Sequence, residues 1–148
     1  MIVMQYANDG DLLSYLNQNI NKLTWKMKLQ LLQGIATTLD CMHHNKLVHC
    51  NLHGGNVILH NDDATKIYGQ SFICDLGLSR STNSESNSDI RGVLPFVAPE
   101  VFSTCKFTEA TDIYAFGVIM YLVATGEPPF RDRTFDLCLA REIRDGLR

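Results

Sequence analysis

His49-Cys50-Asn51-Leu52-His53-Gly54-Gly55-Asn56 crowds imidazole, thiol and carboxamide groups into one stretch. Its paired glycines let backbone approach a ligand closely. As a metal site, His49 and His53 have the spacing of a helical zinc pair, but the glycines oppose a helix and no Glu stands at the base position. Asp75-Leu76-Gly77 follows an apolar run, which puts its carboxylate at a strand end, where magnesium ligands often sit. By itself Asp-x-Gly is also a common turn. Ala98-Pro99-Glu100 opens a helix after a loop, and Pro in a first helical turn is ordinary. Each of these sites is weak alone; their order is what carries information.

The elements that must position them follow from capping residues and apolar periodicity. Ile2-Val3-Met4-Gln5-Tyr6 is a strand candidate closed by the turn-prone Asn8-Asp9-Gly10. Asp11 can cap a short helix reaching about Leu16. Thr24 is the expected N-cap of a long helix, with Trp25, Leu29, Leu32, Ala36, Leu39 and His43 as its core stripe. Leu47-Val48, Val57-Ile58-Leu59 and Phe72-Ile73-Cys74 are expected as short strands. Arg80 to Asp89, dominated by Ser and Asn, is expected as a loop. Ile113 to Ala124 is apolar all round, so a central buried helix is expected, stopped by Gly126 and Pro128-Pro129. A last amphipathic helix should run from about Phe135 to Arg144.

Composition bounds the function. The 148 residues carry a formal charge of −3 and are 45% apolar and 20% charged, which describes a globular chain. This balance lacks the basic footprint of a nucleic-acid binder, so no nucleic-acid partner is expected. The longest apolar stretch is shorter than the ~20 residues a membrane span takes, and no leader opens the sequence. Five scattered cysteines, odd in number and without Cys-x-x-Cys, fit reduced thiols; the expectation is a cytoplasmic protein with no membrane partner. Oligomeric state does not follow from composition.

Taken together and in order, the three sites resemble the C-terminal half of the eukaryotic protein kinase domain, nearest its tyrosine-kinase-like branch. The family's H-R-D-L-x-x-x-N, D-F-G and A-P-E become His49-Cys50-Asn51-Leu52 with Asn56, Asp75-Leu76-Gly77, and Ala98-Pro99-Glu100. Asp112-Ile113-Tyr114-Ala115-Phe116-Gly117 is similar to the family's central helix, and Gly126-Glu127-Pro128-Pro129-Phe130 to the turn after it. Ile2 to Ala7 resembles the hinge, and Asp11 to Leu16 the helix that follows. The fold implied is α+β, mainly α: a helical C-lobe with short β hairpins at the cleft. Residues 1–10 would be the hinge strand, 11–148 a C-lobe without its last helices, and the N-lobe largely absent.

The resemblance implies cofactors and roles. ATP and Mg2+ would be the cofactors, with Asn56 and Asp75 holding magnesium through hard oxygens. The backbone at Gln5 and Ala7 would meet the adenine edge, Met4 would lie behind it, and Asp11 would contact ribose. Asp112 would be structural, tying the catalytic loop to the central helix. The partner would be a protein substrate or another protein.

Departures from the pattern cluster at the transfer position. Asn51 stands where the family has its base Asp; a carboxamide can orient a hydroxyl but cannot take its proton, a loss typically costing ~10²–10⁴ in rate. His53 stands where Ser/Thr kinases carry a phosphate-facing Lys, and Val93 where they carry a Thr that bonds to that Lys. Cys50 replaces the Arg that would pair with a phosphorylated activation segment, although Ser81, Thr82, Ser84, Ser86 and Ser88 could accept phosphate. Asn61 to Gly69 is expected to lengthen a turn. The resemblance supplies no Gly-rich loop, strand Lys or helix Glu, nor the Arg that would pair a buried Glu100; losing one partner of such a pair costs ~3–5 kcal/mol. Three readings follow: an impaired or inactive kinase-like domain, a pseudokinase or interaction module in signalling, and part of an active Ser/Thr or Tyr kinase.

Overall fold

Two helices, α2 (Trp25–His44) and α4 (Glu109–Thr125), form the antiparallel spine of the protein. In this computed structural model, which describes residues 7–62, 67–82 and 92–147, the pair is pinned at both ends. The Lys28 ammonium donates to the Ala124 carbonyl at 2.9 Å, and His43 Nε2 lies 3.0 Å from an oxygen of Asp112. The first pin sits at the C-terminus of α4, where the helix dipole favours a cation.

Capping decided where the helices begin. Asp11 accepts from the Ser14 amide at 3.0 Å and starts α1 (Leu12–Asn19), which buries Leu12 and Leu16. Thr24 accepts from the Met27 amide and starts α2. Pro99 opens α3 (Pro99–Thr104). The Thr108 amide donates to the Thr111 hydroxyl at the head of α4, and Gly126, at φ +82°, closes that helix. A Cβ at Gly126 would meet Ile20 at 2.7 Å, so both backbone and space demand glycine there. Asp136 accepts from two amides and starts α5 (Leu137–Arg144), two residues later than the expected Phe135.

Which face each helix buries differs from the expectation in two places. The stripe of α2 that meets the core is Lys28, Leu31, Ile35 and Leu39, while Trp25 and Leu29 are exposed. This is a rotation of roughly 70° at 100° per residue. The cause is Lys28, which lays its aliphatic stem against the core while its ammonium reaches the end of α4. The second correction concerns α4, which is not buried all round. Ala115, Ile119, Leu122 and Val123 face the core, but Ile113, Met120 and Tyr121 are exposed, because α2 and the 94–96 turn pack on one side only.

The strands sit at one rim. β1 (Leu47–Val48) pairs antiparallel with β4 (Arg80–Ser81), so the expected 80–89 loop begins as a strand; residues 83–91, with Ser84, Ser86 and Ser88, lie outside the described residues. β2 (Val57–Asp62) and β3 (Ile67–Ile73) form a hairpin with a register shift between His60 and Asp62. The Asn61 to Gly69 insertion therefore prolongs both strands, in place of the longer turn expected from the sequence, and Cys74 lies just beyond β3. Residues 9–11 add a third edge: the Leu59 amide donates to the Gly10 carbonyl at 2.8 Å, and Asp9 returns a bond to Leu59. The expected strand at residues 2–6 lies outside the described residues.

The main core joins Leu12 and Leu16 of α1, Leu31, Ile35 and Leu39 of α2, and Ile119 and Leu122 of α4 with Leu52, Val57 and Leu59. A smaller cluster of Val97, Ala98 and Val101 seats α3. The architecture is α+β, mainly α, as expected. Glu100 departs from the expectation of a buried carboxylate: it is exposed in the first turn of α3, where an acidic side chain suits the helix dipole.

Candidate functional site

The 49–56 loop is held from below by one buried carboxylate. Asp112 accepts from the His49 amide at 2.8 Å and the Cys50 amide at 3.1 Å while also meeting His43. Those bonds support Cys50 at φ +67°, a left-handed conformation that is uncommon for a residue with a side chain. Burial, and then the nearby Asp112 charge, push the Cys50 thiol up to about 11. This is the tie between loop and central helix that the resemblance implied for Asp112.

His49 couples this loop to the strand that precedes Asp75. Its Nδ1 accepts from the Asn51 amide at 3.2 Å and its Nε2 lies 3.0 Å from the Cys74 carbonyl. A ring facing a donor on one side and a carbonyl on the other is the neutral tautomer with its proton on Nε2. His53 does not turn toward His49: its Nδ1 accepts from the Gly55 amide at 3.1 Å, and its ring faces Phe96 with centroids 6.1 Å apart. Burial, followed by the neighbouring His49, holds the His53 imidazole below its ordinary value, although Asp75 and Asp11 oppose this.

Asn56 joins the two halves. Its Nδ2 donates to the Asn51 carbonyl at 2.9 Å, and its own carbonyl accepts from the Cys74 amide at 2.9 Å. With Nδ2 so fixed, the carboxamide orientation is fixed too, and Oδ1 makes no hydrogen bond among the described residues. Asp75 follows directly at φ +59°, again left-handed, with its side chain exposed at the end of β3. Gly77 is its close neighbour: a Cβ there would stand 3.3 Å from an Asp75 oxygen.

These hydrogen bonds thus link the segments that carry Asn51, Asn56 and Asp75. Asp11 reaches the same field, since its charge, after burial and Asp75, helps to raise the Cys74 thiol. The Asp11 carboxylate is already engaged by the Ser14 amide and hydroxyl, at 3.0 and 2.6 Å. Burial opposes its ionisation, but those hydrogen bonds hold its carboxyl below the ordinary value. Ala7 is half-buried at the start of the described segment, while Met4 and Gln5 lie outside the described residues.

Above the loop, Gly92 comes against Asn51: a Cβ there would stand 3.4 Å from the Asn51 Oδ1. Cys50, Asn51, Val93, Phe96, Thr111 and Asp112 share the lining of a cavity of about 10 Å³, room for one water. The sequence reading missed three neighbours of the site. His43 supports Asp112 from α2, Phe96 meets His53, and Ile58 bridges to Asp11. Strand alternation could have found Ile58, because its neighbours Val57 and Leu59 both face the core. Nothing local marks His43 or Phe96.

Asn56 and Asp75 offer hard oxygens from two backbone segments, the donor type magnesium takes. Among the described residues no cluster of three His, Cys, Asp or Glu side chains forms a metal site, and no helix is long and apolar enough to cross a membrane.

Comparison with known proteins gives a consistent result. The model of the protein tyrosine and serine/threonine kinase family matches residues 1–147. A probable leucine-rich repeat receptor-like protein kinase of Arabidopsis thaliana is 32% identical over 135 residues, covering 86% of this chain and 12% of its own length. Mitogen-activated protein kinase kinase kinase 13 of Homo sapiens is 31% identical over 132 residues, 88% of this chain and 13% of that one. The probable serine/threonine-protein kinase roco9 of Dictyostelium discoideum is 26% identical over 149 residues, 99% of this chain and 4% of that one. The chain therefore spans about an eighth or less of the length of these relatives.

Proposed function

The chain belongs to the protein tyrosine and serine/threonine kinase family, and from that premise we propose that its 49–56 and 74–77 segments form the floor of a cleft for ATP and magnesium, impaired for phosphoryl transfer. The observation that supports this most directly is the Asn51–Asn56–Cys74 relay, which ties the segment carrying Asn56 to the one carrying Asp75.

Asn56 and Asp75 would hold magnesium, which when bound neutralises phosphate charge and bridges phosphate oxygens. Ile58, beside Asp11, would supply an apolar floor for the base; Met4, Gln5 and Ala7 would line its edge and Asp11 would contact ribose. Asn51 would orient the hydroxyl of a protein substrate without accepting its proton, at a typical cost of ~10²–10⁴ in rate. His53, neutral and with Nδ1 committed to Gly55, would offer a single N–H donor where a cation is usual.

A titration of the chain with ATP and magnesium, followed by amide NMR, tests the floor. Shifts should gather at residues 49–58 and 73–77, saturate only at millimolar nucleotide, and lose their magnesium dependence in Asn56→Ala and Asp75→Ala. Shifts elsewhere, or insensitivity to both variants, would overturn the cleft; a micromolar affinity by calorimetry would overturn the impairment. Transfer of labelled phosphate to a generic protein substrate should be undetectable in this chain, and within a whole kinase domain that carries it Asn51→Asp should raise the rate. A rate unchanged by that substitution would shift the defect to His53 and Val93.

The second reading, an interaction module in signalling, rests on Asn51, His53 and Val93, which leave the transfer position without its usual groups.

A further inference from the structure

Gly55 has no backbone reason to be a glycine. Unlike Gly92 and Gly126 it lies outside the left-handed region, and it is exposed. An exposed glycine in a helical turn carries an entropic cost on folding. A side chain at 55 would meet one neighbour only, the His53 ring: a Cβ would stand 3.1 Å from its Cε1 and 3.2 Å from its Nδ1. Both separations are shorter than the ~3.5–4.0 Å of ordinary carbon contacts, and an imidazole cannot bend out of the way.

The missing Cβ gives His53 room to fold back. His53 is extended, at φ −159° and ψ 171°, and caps the 54–56 turn. Its Nδ1 accepts from the Gly55 amide at 3.1 Å, and its carbonyl accepts from the Asn56 amide at 2.9 Å. The ring is thereby presented to Phe96, with centroids 6.1 Å apart and planes tilted by 60°, within the range of edge-to-face pairs. Phe96 closes the 94–96 turn, donates its amide to the Val93 carbonyl at 2.8 Å, and packs on the main core.

The two segments joined by this ring contact have little else between them. Among the described residues no hydrogen bond runs from 49–56 to 92–98. Asn51 and Leu52 face Val93 and Val97 across the cavity with room for one water. We propose that Gly55 is a positioning residue: it seats the His53 ring on its own turn, and the ring fastens the 94–96 turn beside Asn51. Gly55 acts only through His53, and His53 acts through Phe96. The fastening does not depend on the nucleotide reading, which enters only in naming Asn51 as the transfer position.

Gly55→Val tests this, because the backbone at 55 accepts a side chain and the only neighbour disturbed is His53. Two measurements by NMR read the outcome: the His53 ring-proton shifts and the hydrogen exchange of single amides. In the native chain, Phe96→Leu should move the His53 ring protons by removing a ring current. In Gly55→Val those protons should already sit near the positions of an exposed imidazole, and Phe96→Leu should move them no further. Exchange of the Phe96 and Val97 amides should quicken by ~2- to 10-fold, the fold-change that an aromatic pair is worth. The His49 and Cys50 amides, held by Asp112, should keep their rates. His53→Ala should reproduce the faster exchange at 96 and 97, and adding Gly55→Val to it should change nothing more. Gly55→Ala should act in the same direction with a smaller effect, and it serves if valine impairs folding. His53 ring shifts unaltered by both Gly55 variants, unchanged exchange at 96 and 97, or an effect of Gly55→Val that persists without His53 overturns the proposal. Loosening that spreads to the His49 and Cys50 amides also overturns it, since Gly55 would then be a structural glycine of the whole loop.

Discussion

The underside and the mouth of the 49–56 loop are built by opposite rules. Beneath the loop, Asp112 is almost fully buried and meets two amides and an imidazole, and His49 uses both ring nitrogens. At the mouth, the Asn51 side chain makes no hydrogen bond among the described residues, and His53 is spent on its own turn. Low dielectric makes the first arrangement costly to disturb, since a buried donor left unpaired loses its full solvation. The second arrangement contributes little to stability and is free to vary. A fold can therefore keep the frame of a site while its chemistry is exchanged.

The sharpest way to break this contrast is to cut each region once. Asp112→Ala orphans two buried amides and should cost ~2–6 kcal/mol, at ~1–3 for each unpaired donor. Against a domain stability of ~5–15 kcal/mol, this should lower the urea midpoint by a large fraction. Asn51→Ala should cost less than ~0.5 kcal/mol, as surface changes do. Equal losses would mean that mouth and underside form one cooperative network and would end the distinction.

A smaller effect is expected at the far pin. Lys28→Met keeps the buried stem but removes the cation from the end of α4, at a cost of about 1 kcal/mol. For a chain of this size that corresponds to ~2–4 °C in thermal midpoint. Lys28→Ala should cost more, because it also empties the space beside Leu31 and the α4 end. If the two variants are equally destabilising, the ammonium is doing the holding and the stem adds nothing.

Some of this was legible in the sequence and some was not. Asp11, Thr24 and Gly126 mark helix ends by local chemistry, and all three do so in the structure. The order of the site motifs singled out Asn51, Asn56 and Asp75, and hydrogen bonds link the segments that carry them. Burial, by contrast, depends on neighbours. Nothing near Lys28 in sequence says that it meets a carbonyl 96 residues away, so the α2 stripe came out rotated. The face of α4 failed for the same reason, since an apolar run looks alike whether or not something covers it. His43 stayed hidden because its partner, Asp112, lies 69 residues on.

Thiol chemistry sharpens the contrast further. Cys50, on the underside and raised to about 11, should stay protonated and resist alkylation at pH 8, while the exposed Cys41 and Cys138 react. Peptide mapping after iodoacetamide treatment reads this directly. Labelling of Cys50 at the rate of Cys41 would mean that the loop opens on the time scale of the reaction.

The smallest expected effect tests the mouth by pH. Burial lowers the His53 imidazole below its ordinary 6.5, so the folded protein binds this proton less readily than the unfolded chain does. Stability from this group is therefore fully present above pH 6.5 and is lost as pH falls through the lower folded value. Protonation also puts a second N–H on Nδ1, which then faces the Gly55 amide, donor to donor. His53→Gln keeps an acceptor for that amide and removes the titration, so its urea midpoint should vary less between neutral and mildly acid pH than the native chain's. Because carboxylates elsewhere titrate in both proteins, only the difference between the two curves reports on His53. A difference of opposite sign would mean that Asp75 and Asp11 outweigh burial at this ring, making the mouth an electrostatically organised site like the underside.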